Sequence, residues 1–417
     1  MLTVVPPWQA LELVIPHIKA LDKQREAEDV EVSQAVGRVI AQGVECPKDV
    51  PHFTRSSVDG YAVRAADTFG ASESVPALLR LTGRVEMGRA AGSIEPGCAH
   101  EIPTGGMLPQ GADAVVMVEH SEQVGSGTVA VYSSVAPGEN VLCMGEDFAA
   151  GQAVVPEGRR LRPVDVAAIA ACGIARVKVY RPLRVAVIST GDELQPPGGE
   201  LSAGQVYDIN GFALCAMIHN DHMVPVFQGI VRDCAEAIAT ELRRALEECD
   251  GVLVTGGTSA GARDVLAGVI DALGEPGVIV HGLAIRPGKP TVLGAVQGKP
   301  VLGLAGHPAS AMVVYEVVAR PLLMHMAGWR KGSNPEVPRL FARLTRPISS
   351  RPGREDYVRC LLRSDGTEVL AEPLLGKSGL VSTMVGASAY IKVPFEKEGC
   401  AAGEMVEVIL SAAATWL

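Results

Sequence analysis

Apolar positions change their period several times along the chain, and each change marks an element or a domain. Over residues 6–25, Leu11, Val14, Ile15, Ile18 and Leu21 recur at helical spacing and predict one amphipathic helix. A second short helix and a strand are expected within 30–46. From Pro47 to Asp147 the spacing shortens to two. Runs at 61–63, 78–85, 114–118 and 128–131 alternate with Gly, Pro, Asp and Ser turns, which predicts a β-rich unit. Pro163 is placed to open a helix through Ala171, Gly173 to stop it, and a strand is expected at 176–180. Residues 182–328 then alternate near-continuous apolar runs (184–189, 251–255, 301–304) with helical patterns at 210–220, after Asp233, and from Pro308. Unbroken apolar runs are expected of parallel strands buried on both faces, so this part predicts a doubly wound α/β domain. Asp233 and Glu236 have the spacing of a capping box before the helix lined by Ile238, Leu242, Ala245 and Leu246. After a polar linker at 331–338, short strands at 339–345, 357–362, 389–393 and 405–410 predict a small C-terminal β-barrel or sandwich. The expected division is 1–46 plus 148–181 as a discontinuous linker and dimerisation region, 47–147 as the β-rich domain, 182–330 as the α/β domain, and 335–417 as the barrel.

Composition narrows the function. With 47% hydrophobic residues the 417-residue chain folds into cores rather than remaining disordered. The net charge of −10 and the lack of any Lys/Arg run exclude general nucleic-acid binding, because phosphate neutralisation requires a basic face. No stretch is long and apolar enough to span a membrane, and Met1 to Trp8 has no secretory pattern; no membrane partner and a cytoplasmic location are expected. The nine cysteines stand singly without C-x-x-C and read as reduced thiols.

The chemistry concentrates in turns. Three apolar strands of the α/β domain end in small-residue or acidic loops: STGDE (189–193), TGGTSAG (255–261) and AGHPAS (305–310). Ligands of parallel α/β sheets bind beyond the carboxyl ends of the strands, so neighbouring strands would bring these loops to one crevice. Amides and hydroxyls of Gly256, Gly257, Thr258, Ser259 and Gly261 suit phosphate, although the spacing matches neither a Walker loop nor a dinucleotide fingerprint. The RPGKP segment (286–290) adds Arg286 and Lys289. Asp192, Glu193, Asp208, Asp233 and Asp264 lie beside these anion-binding elements. Carboxylates next to a phosphate site make sense with a cation between them, and Mg²⁺ binds through one or two carboxylates plus substrate phosphates. In the β-rich unit, Asp59 sits in RSSVDGYAV (55–63), where Asp-Gly is also a hairpin-turn signal. Thr104 in a Gly-rich loop and Asp147 after Gly145 are further polar candidates. His307 is a single histidine with no second one at metal-ligand spacing.

Taken in order, these segments resemble the molybdopterin molybdenumtransferase family, related to the gephyrin E-domain. The resemblance rests on SSVDGYA (56–62), PTGG (103–106) with GADAVV (111–116), GEN (138–140) with GED (145–147), STGDE, TGGTSAG with Asp264, PGKP (287–290), GLAGHPAS (303–310) and KSG (377–379). It implies a homodimer whose site lies in a cleft between the α/β domain of one subunit and the β-rich domain of the other. It implies insertion of molybdate into adenylylated molybdopterin with Mg²⁺-dependent release of AMP. Asp59, Glu193, Asp147 and Thr104 would be catalytic. Asp59 and Glu193, with Asp233 or Asp264, would hold the metal. Substrate would be bound by Thr190, Gly191, Asp192, Gly256, Gly257, Thr258, Ser259, Gly261, Asp264, Arg286, Lys289, His307, Ser310, Arg354, Lys377 and Ser378, with Thr104, Arg354 or Lys377 taking molybdate. Where the family often has Pro-Gly-Asn-Pro, this chain has Ala305-Gly306-His307-Pro308. A non-catalytic pterin-binding scaffold of gephyrin E-domain type and a molybdopterin adenylyltransferase are the alternative readings, and other enzymes of the same pathway are further expected partners.

Overall fold

The computed structural model describes residues 4–21, 26–256, 260–330, 332, 340–364 and 366–410. The linker region is made from two distant pieces of chain. Ala27–Glu31 pairs antiparallel with Arg176–Tyr180, and Val44–Glu45 with Ala153–Val155. Its helix, Pro163–Ala171, begins at a proline whose missing N–H costs nothing there. The Asp165 carboxylate accepts from the Arg162 amide at 2.9 Å and pairs with Arg159 and Arg162. Gly173, at φ 74°, turns the chain out of the helix. Val32, Ile40, Leu161, Ile169 and Val179 fill the small core between the pieces.

The β-rich domain is inserted into this linker. Its six strands run in the order Ala114–Met117, Gly60–Val63, Cys98–Ile102, Ala77–Arg84, Thr128–Val131, Ser121–Val124. A Cβ at Gly60 would meet the Val116 carbonyl oxygen at 1.9 Å, so only glycine lets the chain enter that sheet directly after Asp59.

The α/β sheet has the order Val224–Val231, Arg184–Thr190, Gly251–Gly256, Lys299–Leu304, Val292–Val296, Pro276–His281. The first four strands are parallel. Alternate residues serve different cores: Val185, Val187, Leu253 and Leu302 face one, and Ala186, Ile188, Val252 and Val254 the other. This two-sided burial is what the unbroken apolar runs encoded. Val292–Val296 runs antiparallel to both of its neighbours, an addition to the sequence reading. Gln297 and Gly298, both at positive φ, close a two-residue hairpin of the kind whose twist matches the strands it joins.

Two expected helices come out differently. The predicted 6–25 helix is helical only over Pro7–Val14, followed by a 3₁₀ turn at Ile15–His17, because Pro16 cannot donate to the ladder. Val5, Ala10, Val14, Ile18 and Leu21 nevertheless point inward and join the α/β core, which also takes in Val39, Ala41 and Tyr180 of the linker region. The long helix from Pro308 is continuous in direction but widens to a π turn at Tyr315–Ala319 before Arg320–Met326. Pro321 explains the wide turn, since its ring displaces the carbonyl four residues earlier.

The C-terminal domain closes into a five-stranded barrel: Leu340–Leu344, Glu355–Ser364, Val369–Pro373, Ala389–Val393 and Met405–Leu410. Glu355–Ser364 closes the ring by pairing with both Val369–Pro373 and Ala389–Val393. Ile285–Arg286 of the α/β domain adds in parallel to Glu355–Asp356. That short pairing fixes the barrel against the α/β domain and places the cleft described next.

Candidate functional site

The candidate residues fall into three places. The first is the tip of the β-rich domain. Asp59 follows Arg55–Ser56 and precedes Gly60–Val63, and its Oδ1 accepts from the Thr104 amide at 2.6 Å and from Thr104 Oγ1 at 2.9 Å. These two donors hold the Asp59 carboxyl below its ordinary value and fix its orientation, although it is fully exposed. Asp147 lies instead at the neck where this domain rejoins the linker, its amide donating to the Val50 carbonyl.

The second place is the carboxyl end of the α/β sheet. Thr190 and Gly256 are register partners on adjacent strands. A Cβ at Gly256, where φ is 126°, would meet the Thr190 carbonyl oxygen at 1.9 Å. A Cβ at Gly191, φ 150°, would sit 2.8 Å from Glu193 Oε2. At Gly256 the neighbouring backbone excludes any side chain, while at Gly191 the exposed Glu193 side chain can move and the constraint is the positive φ. Asp192 and Glu193 are exposed, and the Asp233 amide lies 3.5 Å from Asp192 Oδ1. Asp233 does not form the expected capping box: helix Ala235–Glu248 starts after Cys234 with no side-chain cap. Its carboxylate faces the other acids instead, with Oδ1 buried and without a hydrogen-bond partner. Burial, then the charges of Asp192 and Glu193, push the Asp233 carboxyl above its ordinary value.

Asp208 drops out of the free acids. It accepts from Ser189 Oγ at 2.6 Å and from the Gly211 amide at 2.9 Å, and so anchors the start of helix Asn210–Asn220. Sequence reasoning passed over Asn210, whose Nδ2 donates at 2.8 Å to both Thr255 Oγ1 and the Gly306 carbonyl. It ties two strand-end loops together, and its only signal was a polar residue at a helix start beside an apolar strand. Gly257, Thr258 and Ser259 lie outside the described residues, and Gly261 is in the first turn of helix Ala260–Leu273. Asp264 is exposed on that helix, 4.0 Å from His281 Nε2.

The third place is a cleft of about 1540 Å³ between the α/β domain and the barrel. Arg286, Lys289, His307, Ser310, Arg354, Lys377 and Ser378 all line it. Asp356, 2% exposed, pairs with Arg354 Nε at 2.8 Å and lies 3.5 Å from Arg286 Nη1. One carboxylate thus serves two guanidiniums. Lys289, Lys377 and Arg351 have no acidic partner among the described residues, which leaves the cleft cationic within an acidic protein. Arg351 was not foreseen. The Ser378 carbonyl accepts from the Ala309 amide at 3.1 Å, and Arg359 holds the same loop through the Gly376 carbonyl at 2.7 Å. The 376–378 loop is thereby seated over the start of helix Pro308–Val314, with His307 exposed at its N-cap.

Among the described residues of one chain, no three His, Cys, Asp or Glu side chains form a ready-made metal cage. The Asp192, Glu193 and Asp233 group still fits Mg²⁺, which needs only one or two carboxylates and keeps its remaining positions for water and phosphate oxygens. An unpartnered buried carboxylate oxygen and mutual repulsion are what a cation would relieve.

Three family models match in sequence: the MoeA N-terminal region (domains I and II) over residues 5–173, a probable molybdopterin binding domain over 186–325, and the MoeA C-terminal region (domain IV) over 342–411. A putative molybdopterin biosynthesis protein from Methanocaldococcus jannaschii is 35% identical, with 94% of each chain covered. Molybdopterin molybdenumtransferase 2 of Mycobacterium tuberculosis is 34% identical over 91% of this chain and 94% of that protein. Among solved structures, a molybdopterin biosynthesis moeA protein from Pyrococcus horikoshii OT3 superposes with a TM-score of 0.82 at 31% identity, covering 98% of this chain and 100% of that one.

Proposed function

Since the chain belongs to the MoeA family of molybdopterin molybdenumtransferases, a transferase of molybdenum cofactor biosynthesis, we propose that it joins molybdate to adenylylated molybdopterin and releases AMP, in a cleft shared between two subunits. The observation that carries the shared cleft is the separation of its acids. Asp59 and Glu193 stand in loops beside two sheets that do not pair with each other among the described residues, and exposed apolar side chains occur in the segments next to each. Phe53, Met87 and Met144 lie around the Asp59–Thr104 tip, and Val206, Tyr207, Ile209, Phe212 and Phe227 lie around the Asp192–Asp233 end. Exposed apolar side chains in the segments next to an unfinished polar site fit burial by a second copy of the chain.

In this reading Lys289 and Arg286 neutralise the substrate's phosphates, while amides and hydroxyls at the strand ends orient them. Lys377, Arg354 and Arg351 draw molybdate, a small dianion, into the adjoining cleft, next to where the pterin sulfurs must lie. His307 and Ser310 present polar groups at the helix start between these two regions. Thr104 holds Asp59 ionised and aimed, and Glu193 and Asp233 supply the facing carboxylates. Asp59, Glu193 and Asp233 would hold Mg²⁺, which when bound polarises a phosphoryl oxygen. Asp264, paired toward His281, is the weaker alternative ligand, and Asp147 acts at the neck of the domain that carries Asp59. The cationic cleft favours a working enzyme over a scaffold, because a pterin scaffold needs no second anion site.

The test is complementation. Asp59→Asn and Glu193→Gln should each abolish molybdate-dependent AMP release. Dissociated and reassociated as a mixture, they should recover about a quarter of wild-type activity, since half the dimers are mixed and each mixed dimer has one intact site. No recovery in demonstrably mixed dimers would place both carboxylates in one subunit's site and overturn the reading.

A further inference from the structure

The neck of the β-rich domain holds a feature that the transferase chemistry does not use. Cys46 is the last residue of the first linker segment. Its amide donates to the Gln152 carbonyl at 2.9 Å and its carbonyl accepts from the Gly151 amide at 2.8 Å, so it lies where the chain both leaves and re-enters the linker. Cys172 caps the end of helix Pro163–Ala171 in the second segment. Their sulfurs are 2.9 Å apart, although 126 residues separate them in sequence. Both side chains are buried, 0% and 2% exposed. No other two cysteines of the chain are in sulfur contact, and Cys143 and Cys234 are the exposed thiols. Two buried sulfurs held this close need little backbone movement to reach a covalent length of about 2.05 Å.

We propose that Cys46 and Cys172 form a reversible disulfide that clamps the neck of the β-rich domain. Two S–H bonds break and one S–S bond forms. The two electrons reduce a small-molecule disulfide to two thiols, which also take up the two protons. The reaction passes through a mixed disulfide on one of the two cysteines, so it requires a transient opening of the neck. It is slow for a second reason: burial, the neighbouring Cys46 and the charge of Asp147 push the Cys172 thiol up to about 12, which keeps the attacking thiolate scarce. Once formed, the bond joins both linker segments beneath the domain that carries Asp59, and the neck loses its freedom to open. The proposal does not depend on the shared-cleft reading.

The experiment incubates the full chain with oxidised glutathione, well past the point at which Cys143 and Cys234 have reacted. Titration in denaturant should show Cys46 and Cys172 lost together from the nine thiols and recovered with dithiothreitol, with a cross-linked peptide pair spanning both positions. Proteolysis within the neck, residues 146–152, should slow by about fivefold or more, because cleavage there tracks local opening. Cys46→Ala and Cys172→Ser, examined separately in case one folds poorly, should each remove the cross-link and the protection. If Cys46 and Cys172 stay reduced under these conditions, or if protection persists in a well-folded variant, the proposal is overturned.

Discussion

The two acidic centres of this protein are opposites in electrostatic design. At the β-rich tip, Asp59 accepts two hydrogen bonds from Thr104, and its carboxyl lies below its ordinary value. At the α/β strand ends, Asp233 has an unpartnered oxygen beside two other carboxylates and lies above its ordinary value. The first centre is complete within the chain: local donors fix the charge and its direction. The second is frustrated within the chain and gains from anything positive that enters. In the proposed shared site, one settled and one unsettled half would stay quiet until both halves and a cation meet.

The sharpest way to break the comparison is to remove each charge without changing shape. Asp59→Asn and Glu193→Gln should each lower turnover on the order of a thousandfold with the fold intact by circular dichroism. A large loss from only one of them would mean that the other centre is structural. Next in size is Gly256→Ala. Its methyl would collide with the Thr190 carbonyl at a left-handed φ, so unfolding in urea should show a loss of about 4 kcal/mol, with activity falling alongside.

Asp233→Asn tests the frustration directly, because it should act in opposite directions on stability and activity. A carboxyl whose folded pKa is raised makes the folded state bind more protons than the unfolded one, so stability falls as pH rises through that range. Removing the charge should raise the melting temperature at neutral pH by about 1–2 °C while weakening Mg²⁺ dependence. In the wild type, that small stability deficit should shrink as pH falls through the raised value and be gone below the ordinary carboxyl value. Thr104→Val is the mildest. It removes one of the two donors to Asp59, so the acid limb of the pH–rate profile should move to higher pH, and turnover at neutral pH should fall by about tenfold at most. An unmoved acid limb would mean that Asp59 does not control that limb.

Much of the architecture was legible because period carries it. The doubly wound domain announced itself in apolar runs at 184–189 and 251–255, since strands buried on both faces have no polar positions to alternate. The barrel was legible from four short strands, while Val369–Pro373 was missed because it follows a turn and Glu372 and Pro373 end its apolar run. Val292–Val296 and Pro276–His281 were also missed, since their glycines and prolines mask the alternation. The 6–25 helix was overextended because periodicity outvoted Pro16. In the site, Asp233 read both as a helix cap and as one of the acids beside the anion-binding loops; the fold leaves the helix uncapped and sets Asp233 beside Asp192 and Glu193. Asp208 looked like a free acid, and only the fold showed it bound to Ser189 and Gly211. Arg351 carried no local signal, and Asn210 only that of a polar residue at a helix start.

The sequence by itself determined most element types, the order of the β-rich, α/β and barrel parts and the loops that gather the candidate polar residues, because these depend on near-neighbour periodicity and turn residues. Only the tertiary structure decided which carboxylates are satisfied and which repel, which cations share Asp356 and which stay unpaired, and that the strand-end acids and the cationic cleft are separate places. Those are matters of contact between residues tens to hundreds of positions apart, and charge and burial act through space rather than along the chain.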